Sequence, residues 1–234
     1  MSDQTLPRGL LERSLSHRPH DGVELFWLIA RVCASPATVT FTRLRVYGRD
    51  RIPRSGGIVL ALNHFSWVDT TSFGAACPRA IYYATKVEAY EVPGVAQPIR
   101  AFGAFPIRRG ETHRDAVRAM RRLVAAGRGL GVFVEGTRQR SGEPGEVKPG
   151  AAMVALHEDV PIVPAAVHGS QTWRFGNFHC VSVAWGEPLR FSGLPPGARG
   201  YWAASIEIQC RIRRLWEFLV ETHRLGRPRG VPPA

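Results

Sequence analysis

"GIVLALNHFSWVD", residues 57–69, decides how this chain folds. From Ile58 to Leu62 every side chain is apolar, with no polar residue at alternate positions. A half-buried strand alternates polar with apolar; a strand covered on both faces does not. The run is also too short for an ordinary helix. It predicts a central strand of a parallel sheet. The strand gives way to Asn63 and His64, and a carboxylate, Asp69, follows after four intervening residues.

Working outward, "FTRLRVYG" (41–48) reads as a preceding strand, joined through the turn "RDRIPRSG" (49–56). Further strands are expected at "AIYYAT" (80–85), "AFPI" (104–107), "GLGVFVEG" (129–136), "PIVPAAVHG" (161–169) and "HCVSVAWGEPL" (179–189). Helical patterns fall between them: a short helix after Asp69, a Pro/Gly-broken region to about Phe102, then residues 112–126, 147–159 and 201–223. Strands alternating with helices give an α/β domain: a mixed, largely parallel central sheet of about seven strands with helices on both faces. No internal repeat is present. Residues 1–40 are expected to form an N-terminal arm with an amphipathic helical segment, 41–224 the domain, and 225–234 a tail. In such sheets ligands bind where strands end at their carboxyl edge. "NHFSWVD", "PIRRG" and "EGTRQRSG" all stand at such exits.

The chain of 234 residues carries 31 Lys+Arg against 19 Asp+Glu, a net charge of +12, and only Lys86 and Lys148 are lysines. Between residues 98 and 140 ten Arg face three acids, Glu111, Asp115 and Glu135. That density suits nucleic acid, a lipid headgroup surface or a phosphorylated substrate. For Arg118, Arg121, Arg122 and Arg128 a solvated helix face is the better reading. Cys33, Cys77, Cys180 and Cys210 are widely spaced without a C-x-x-C pair, which argues against both a disulfide framework and a metal site. "VELFWLIARVCA" (23–34) is the most apolar N-terminal stretch and falls short of the roughly 20 residues that span a bilayer. It either lies in a membrane interface or packs on the domain.

An imidazole titrates near neutrality, which makes His64 a natural base for an alcohol proton. It works in one tautomer only, and a carboxylate at the other ring nitrogen fixes that tautomer. On a regular helix residues five apart sit about 140° around the axis, too far to meet easily. If His64 closes the strand and the chain turns into a helix before Asp69, the carboxylate swings back beneath the ring. The same turn offers the N–H groups of residues 65–68 to an anion or a developing oxyanion, with Ser66 as a helix cap. No Ser or Cys stands where it must be a nucleophile, which favours direct attack by a substrate hydroxyl.

Taken together, "NHFSWVD", "GAFPIRRG", "FVEGTRQRSG" and "VPIVPAAVHGS" resemble the four sequence blocks of the glycerolipid acyltransferases that make phosphatidic acid. The resemblance runs from about residue 57 to 170, and to about 215 with the last strand and helix. It implies the fold of the glycerol-3-phosphate acyltransferases and the catalytic pair His64, as general base, and Asp69. It implies substrate-binding positions at Asn63, Ser66, Lys86, Arg109, Glu135, Gly136, Thr137 and Arg138. Arg109 matches the arginine that binds the acceptor's phosphate, and Glu135 to Arg138 match residues that hold acceptor hydroxyl and phosphate. Two positions depart from the family pattern: Arg108 stands where relatives often have an acid, and Val134 where a proline is common. The fourth block, Val160 to Gly169, is expected to wall the acyl or pantetheine channel.

The partners so implied are acyl-CoA or acyl carrier protein as donor co-substrate, a lysophospholipid, and an anionic membrane surface. The enzyme is then expected in the cytoplasm, held peripherally on the inner face of the cell membrane, without cofactor or metal. Two other readings follow from the residues: the same chemistry on a lyso-ornithine lipid or glycolipid, or a basic nucleic-acid-binding module. The last leaves "NHFSWVD" unexplained, and the Arg-rich segment lacks interleaved aromatics.

Overall fold

Ile58–Leu62 is a strand buried at every position, as its composition dictates. The protein was described through a computed structural model covering residues 35–86, 104–107 and 113–234, together with Ile29 and Val32. Its strands are β1 (Arg45–Tyr47), β2 (Ile58–Leu62), β3 (Ile81–Lys86), β4 (Ala104–Ile107), β5 (Gly129–Phe133), β6 (Ile162–His168) and β7 (Ser182–Trp185). Its named helices are α1 (Val68–Ala76), α2 (His113–Ala125), α3 (Gly150–Glu158) and α4 (Ala198–Arg224).

The strands form one seven-stranded sheet in the order β1-β7-β6-β2-β5-β3-β4. β2 pairs parallel with β5 and β6, and β3 parallel with β5 and β4. Among these strands the β6–β7 pairing alone is antiparallel, and β1 follows β7 in parallel. The largely parallel sheet expected from the strand-helix alternation is therefore present, with its exception at one margin.

Alternate residues of β2 supply two cores. Ile58, Leu60 and Leu62 join Phe73 of α1, Val163 and Trp185 on one face. Val59 and Ala61 join residues of α2, α3 and α4, among them Met120, Val154 and Ile208, on the other. Among the described residues α1 packs on the first face, with Trp216 of α4 at its border, and α2, α3 and α4 pack on the second.

The expected strand at 41–48 is shorter than its composition suggested. Residues 35–42 are helical and only Arg45–Tyr47 is extended. Arg43 adopts a left-handed backbone (φ 45°), and Leu44 N–H bonds the Val39 carbonyl, closing the helix. "FTRLRVYG" suggested a strand from Phe41, but Thr42 turns its hydroxyl back to the Thr38 carbonyl and buries itself in the helical turn. Local preference yields to packing here. The stretch 23–34, apart from Ile29 and Val32, lies outside the described residues.

Candidate active site

Leu62, Phe133, Lys86 and Ile107 are the last residues of four neighbouring parallel strands, β2, β5, β3 and β4. The carboxyl ends of these strands therefore share one edge of the sheet. His64 lies just past β2, and Glu135 to Arg138 just past β5. Lys86 pairs with Ile107 in the sheet register. Arg109, two positions beyond Ile107, and Arg108 lie outside the described residues.

β2 ends, the chain turns, and α1 begins at Val68, so Asp69 is the second residue of the helix. The turn makes the pair. His64 Nδ1 lies 2.9 Å from Asp69 Oδ2, and the same oxygen accepts the N–H groups of Phe65 (2.6 Å) and Ser66 (2.7 Å). Asp69 is 0% exposed. A carboxylate only accepts hydrogen bonds, so the proton of the neutral ring is assigned to Nδ1 and the lone pair to Nε2. Among the described residues Nε2 has no protein partner, and the His64 side chain remains 18% exposed. Its ring stacks on Phe133 with centroids 4.0 Å apart, and Phe133 stacks in turn on Tyr83 at 5.8 Å. An imidazole oriented in this way can take a proton at Nε2 while the buried carboxylate steadies the resulting cation.

Two expectations about this turn need correction. The N–H groups of Phe65 and Ser66 are directed at Asp69, so of residues 65–68 only those of Trp67 and Val68 are left for an anion. Ser66 does not cap the helix: Trp67 is the N-cap residue and makes no side-chain cap bond. The Asp69 carboxylate orders the turn from inside the first helical turn, where negative charge also favours the helix dipole.

The loop after β5 grips the same turn. Glu135 Oε2 accepts the His64 N–H at 2.8 Å, and its Oε1 accepts the Gly145 N–H at 2.9 Å. Gln139 N–H donates to the His64 carbonyl at 2.7 Å. Both backbone polar groups of His64 are therefore held by one loop. Burial pushes the Glu135 carboxyl up to about 7, against the two N–H groups that favour its charge, with nearby Asp69 adding to the rise. Glu135 is buried, and each of its oxygens accepts one backbone N–H.

Asn63 is likewise engaged with the main chain. Fully buried, its amide donates to the Val167 carbonyl (3.2 Å) and accepts the Val167 N–H (2.8 Å), bracing the exits of β2 and β6. Ser66 is nearly buried, whereas Thr137 and Arg138 are exposed on the loop. Gly136 has a left-handed backbone (φ 73°), and a Cβ there would stand 3.1 Å from Lys148 Nζ. Lys148 thus brings a further cation to the Glu135–Arg138 loop. β6 is buried from Ile162 to Val167, so only its exit can border a channel.

Sequence reading missed Phe133, Gln139 and Lys148. Phe133 was legible in principle, since it ends the strand next to β2 on the face that His64 occupies. Gln139 acts through its main chain and left no side-chain signal, and Lys148 is separated from its loop by "QRSGEPGEV". Among the described residues no group of three or more His, Cys, Asp or Glu is arranged to hold a metal ion, and Cys77, Cys180 and Cys210 form no disulfide.

Comparison with known proteins now bears on this geometry. A family model described as Acyltransferase matches residues 43–168. The 1-acyl-sn-glycerol-3-phosphate acyltransferase of Bacillus subtilis is 29% identical over 164 residues, covering 67% of this chain and 80% of that protein. The enzyme of the same name from Streptococcus pneumoniae is 26% identical over 187 residues, covering 78% of this chain and 69% of that one. The chloroplastic 1-acyl-sn-glycerol-3-phosphate acyltransferase of Brassica napus is 26% identical over 145 residues, 61% of this chain, which spans only 42% of that relative's length. In fold, the chain superposes on the crystal structure of the 1-acyl-sn-glycerophosphate (LPA) acyltransferase PlsC from Thermotoga maritima. The TM-score is 0.70 at 22% identity, covering 90% of this chain and 87% of that one.

Proposed function

The chain belongs to the acyltransferase family, and from that premise we propose that it moves a fatty acyl group from acyl-CoA or acyl carrier protein to the free hydroxyl of 1-acylglycerol 3-phosphate, giving phosphatidic acid. The observation that carries the reading is the His64 Nδ1 to Asp69 Oδ2 contact of 2.9 Å against a wholly buried carboxylate, with Nε2 unpartnered among the described residues. His64 Nε2 takes the hydroxyl proton as that oxygen attacks the thioester carbonyl. The carbon–sulfur bond then breaks, and the imidazolium returns the proton to the departing thiolate. No covalent enzyme intermediate is required. The N–H groups of Trp67 and Val68, at the start of α1, are suited to the oxyanion.

Arg138 and Lys148, which bring exposed cations to the loop after β5, hold the acceptor's phosphate, and the block resemblance assigns Arg109 and Lys86 to the same task. Arginine offers a planar fork matched to phosphate oxygens. Glu135 and Asn63 are positioning residues, since they act on the His64 turn and not on substrate. The acceptor is a lipid, so the enzyme works as a peripheral protein at the inner, anionic face of the cell membrane. Among the described residues no helix is long and apolar enough to cross a membrane.

The test is an acceptor panel with one long-chain acyl-CoA: 1-acylglycerol 3-phosphate, glycerol 3-phosphate and a lyso-ornithine lipid. Turnover of the first with release of one free thiol per product is expected, and His64→Ala should lower it by about 10²–10⁴-fold without unfolding the protein. Preference for the lyso-ornithine lipid would remove the phosphate assignment.

A further inference from the structure

A second feature lies beside the His64 turn and plays no part in the chemistry. Trp67, 61% exposed, packs edge-on against Trp173 at 5.4 Å, in the loop between β6 and β7. The Trp173 indole N–H donates to the Phe41 carbonyl at 3.1 Å. Phe41 in turn stacks with Phe178 (5.8 Å) and leans on Phe175 (6.2 Å). These rings hold one another in place and still face outward, Phe175 at 85%, Phe178 at 47% and Phe41 at 42% exposure. A folded domain seldom leaves so many aromatic rings together in water.

The charge around the ridge is one-sided. Residues 35–49 and 167–186 contain no Asp or Glu, but they carry Arg43, Arg45, Arg49 and Arg174. Arg43, Arg45 and Arg174 are exposed, and among the described residues they have no acidic partner. Aromatic rings flanked by arginines and free of carboxylates match an anionic lipid surface, which takes rings at headgroup depth and attracts each nearby cation.

We propose that the ridge of Phe41, Phe175 and Phe178, with Arg43 and Arg174 beside it, docks this protein on an anionic bilayer and sets the His64 cleft against the lipid. The second half rests on the acyl-transfer reading; the docking surface does not. Flotation of the intact protein with phosphatidylcholine vesicles, alone or enriched in phosphatidylglycerol, tests it. The Phe175→Ser/Phe178→Ser variant should partition more weakly to both, roughly tenfold for each ring. Arg174→Glu should lose roughly tenfold on the anionic vesicles and little on the neutral ones. Near-UV circular dichroism reports folding. Should the double variant unfold, Phe175→Glu alone, at a ring that supports little of the fold, decides the matter.

Turnover of a short-chain 1-acylglycerol 3-phosphate, kept monomeric without vesicles, should stay within about twofold in all variants. Unchanged flotation of the folded phenylalanine variants would overturn the proposal. So would a dimer in vesicle-free solution that these substitutions dissolve, because the ridge would then serve a second copy of the chain. If the unmodified protein fails to turn over the soluble acceptor, the reaction assignment fails, and flotation still judges the surface.

Discussion

Asp69 concentrates three hydrogen bonds on one buried oxygen, and this explains why a residue five positions after His64 can serve it at all. A regular helix would carry the carboxylate round the axis; the strand-to-helix turn brings it back, and the N–H groups of Phe65 and Ser66 hold it there. Asp69→Asn keeps the shape but offers an amide that cannot accept all three donors and no longer steadies a charged imidazole. We expect turnover to fall by about 10³–10⁴-fold, measured as thiol release at saturating substrates. Loss of two charge-assisted bonds should also cost roughly 2–4 kcal/mol in denaturant unfolding. Glu135 makes a separate claim about pH. Its carboxyl rises from an ordinary 4.5 to about 7 through burial, so the folded protein retains a proton there that the unfolded chain has released. Its contribution to stability is therefore greatest below pH 4.5, declines as pH rises to about 7, and is level above that. The full span corresponds to roughly 3 kcal/mol. Urea titrations at about pH 5 and about pH 8 should show this decline, and the Glu135→Gln variant should lack it; equal slopes in the two proteins would refute the assignment.

Among the elements, β2 and β5 carry the site between them, and their legibility in sequence differed. β2 announced itself because it is apolar at consecutive positions. β5 read as a strand running to Gly136 but stops at Phe133, because the next residues turn to let Glu135 reach back to the His64 N–H. No local preference encodes that reach; it arises only once β2 lies alongside. The pairing of β5 with β3, on its other side, explains Gly131. A Cβ there would fall 2.7 Å from Ile81 Cγ2 and 2.7 Å from the Tyr83 ring, and that ring supports Phe133 and, through it, His64. Gly131→Ala must push Tyr83 aside, and overpacking of this kind costs about 1–3 kcal/mol. The diagnostic is kinetic: kcat should fall while the acceptor's KM changes little, because the disturbance reaches the imidazole and not the exposed cations of the loop. A variant with unchanged kcat would show that the stack does not set the ring.

At the scale of the molecule, the alternation of elements gave away the parallel sheet, and two of the three polar clusters read at strand exits, "NHFSWVD" and "EGTRQRSG", fall at its carboxyl edge. What stayed hidden depends on contacts between ends of the chain far apart in sequence. "GRPRGVPPA" is rich in proline and glycine and reads as a tail, and it is strapped across the β1 margin of the sheet. Tyr47 donates its hydroxyl to the Pro228 carbonyl (3.0 Å), and the Arg51 guanidinium donates to the carbonyls of Pro232 (2.8 Å), Pro233 (2.9 Å) and Trp185 (3.2 Å). Glu187 pairs with the same guanidinium at 2.8 Å. Proline has no N–H but keeps its carbonyl, so a proline-rich strap can accept from an arginine without leaving donors of its own unpaired. Among the described strands β1 is the outermost on this side and pairs with β7 alone. Removing residues 228–234 strips Tyr47 and Arg51 of three acceptors and uncovers a strand edge. We expect a loss of roughly 2–4 kcal/mol in denaturant unfolding, together with aggregation on warming that light scattering detects. Activity per folded molecule should persist, since the strap lies across β7 and β6 from the His64 turn. A truncated protein as stable as the intact chain would mean that the tail merely rests on the sheet, and that Arg51 finds equivalent partners in water.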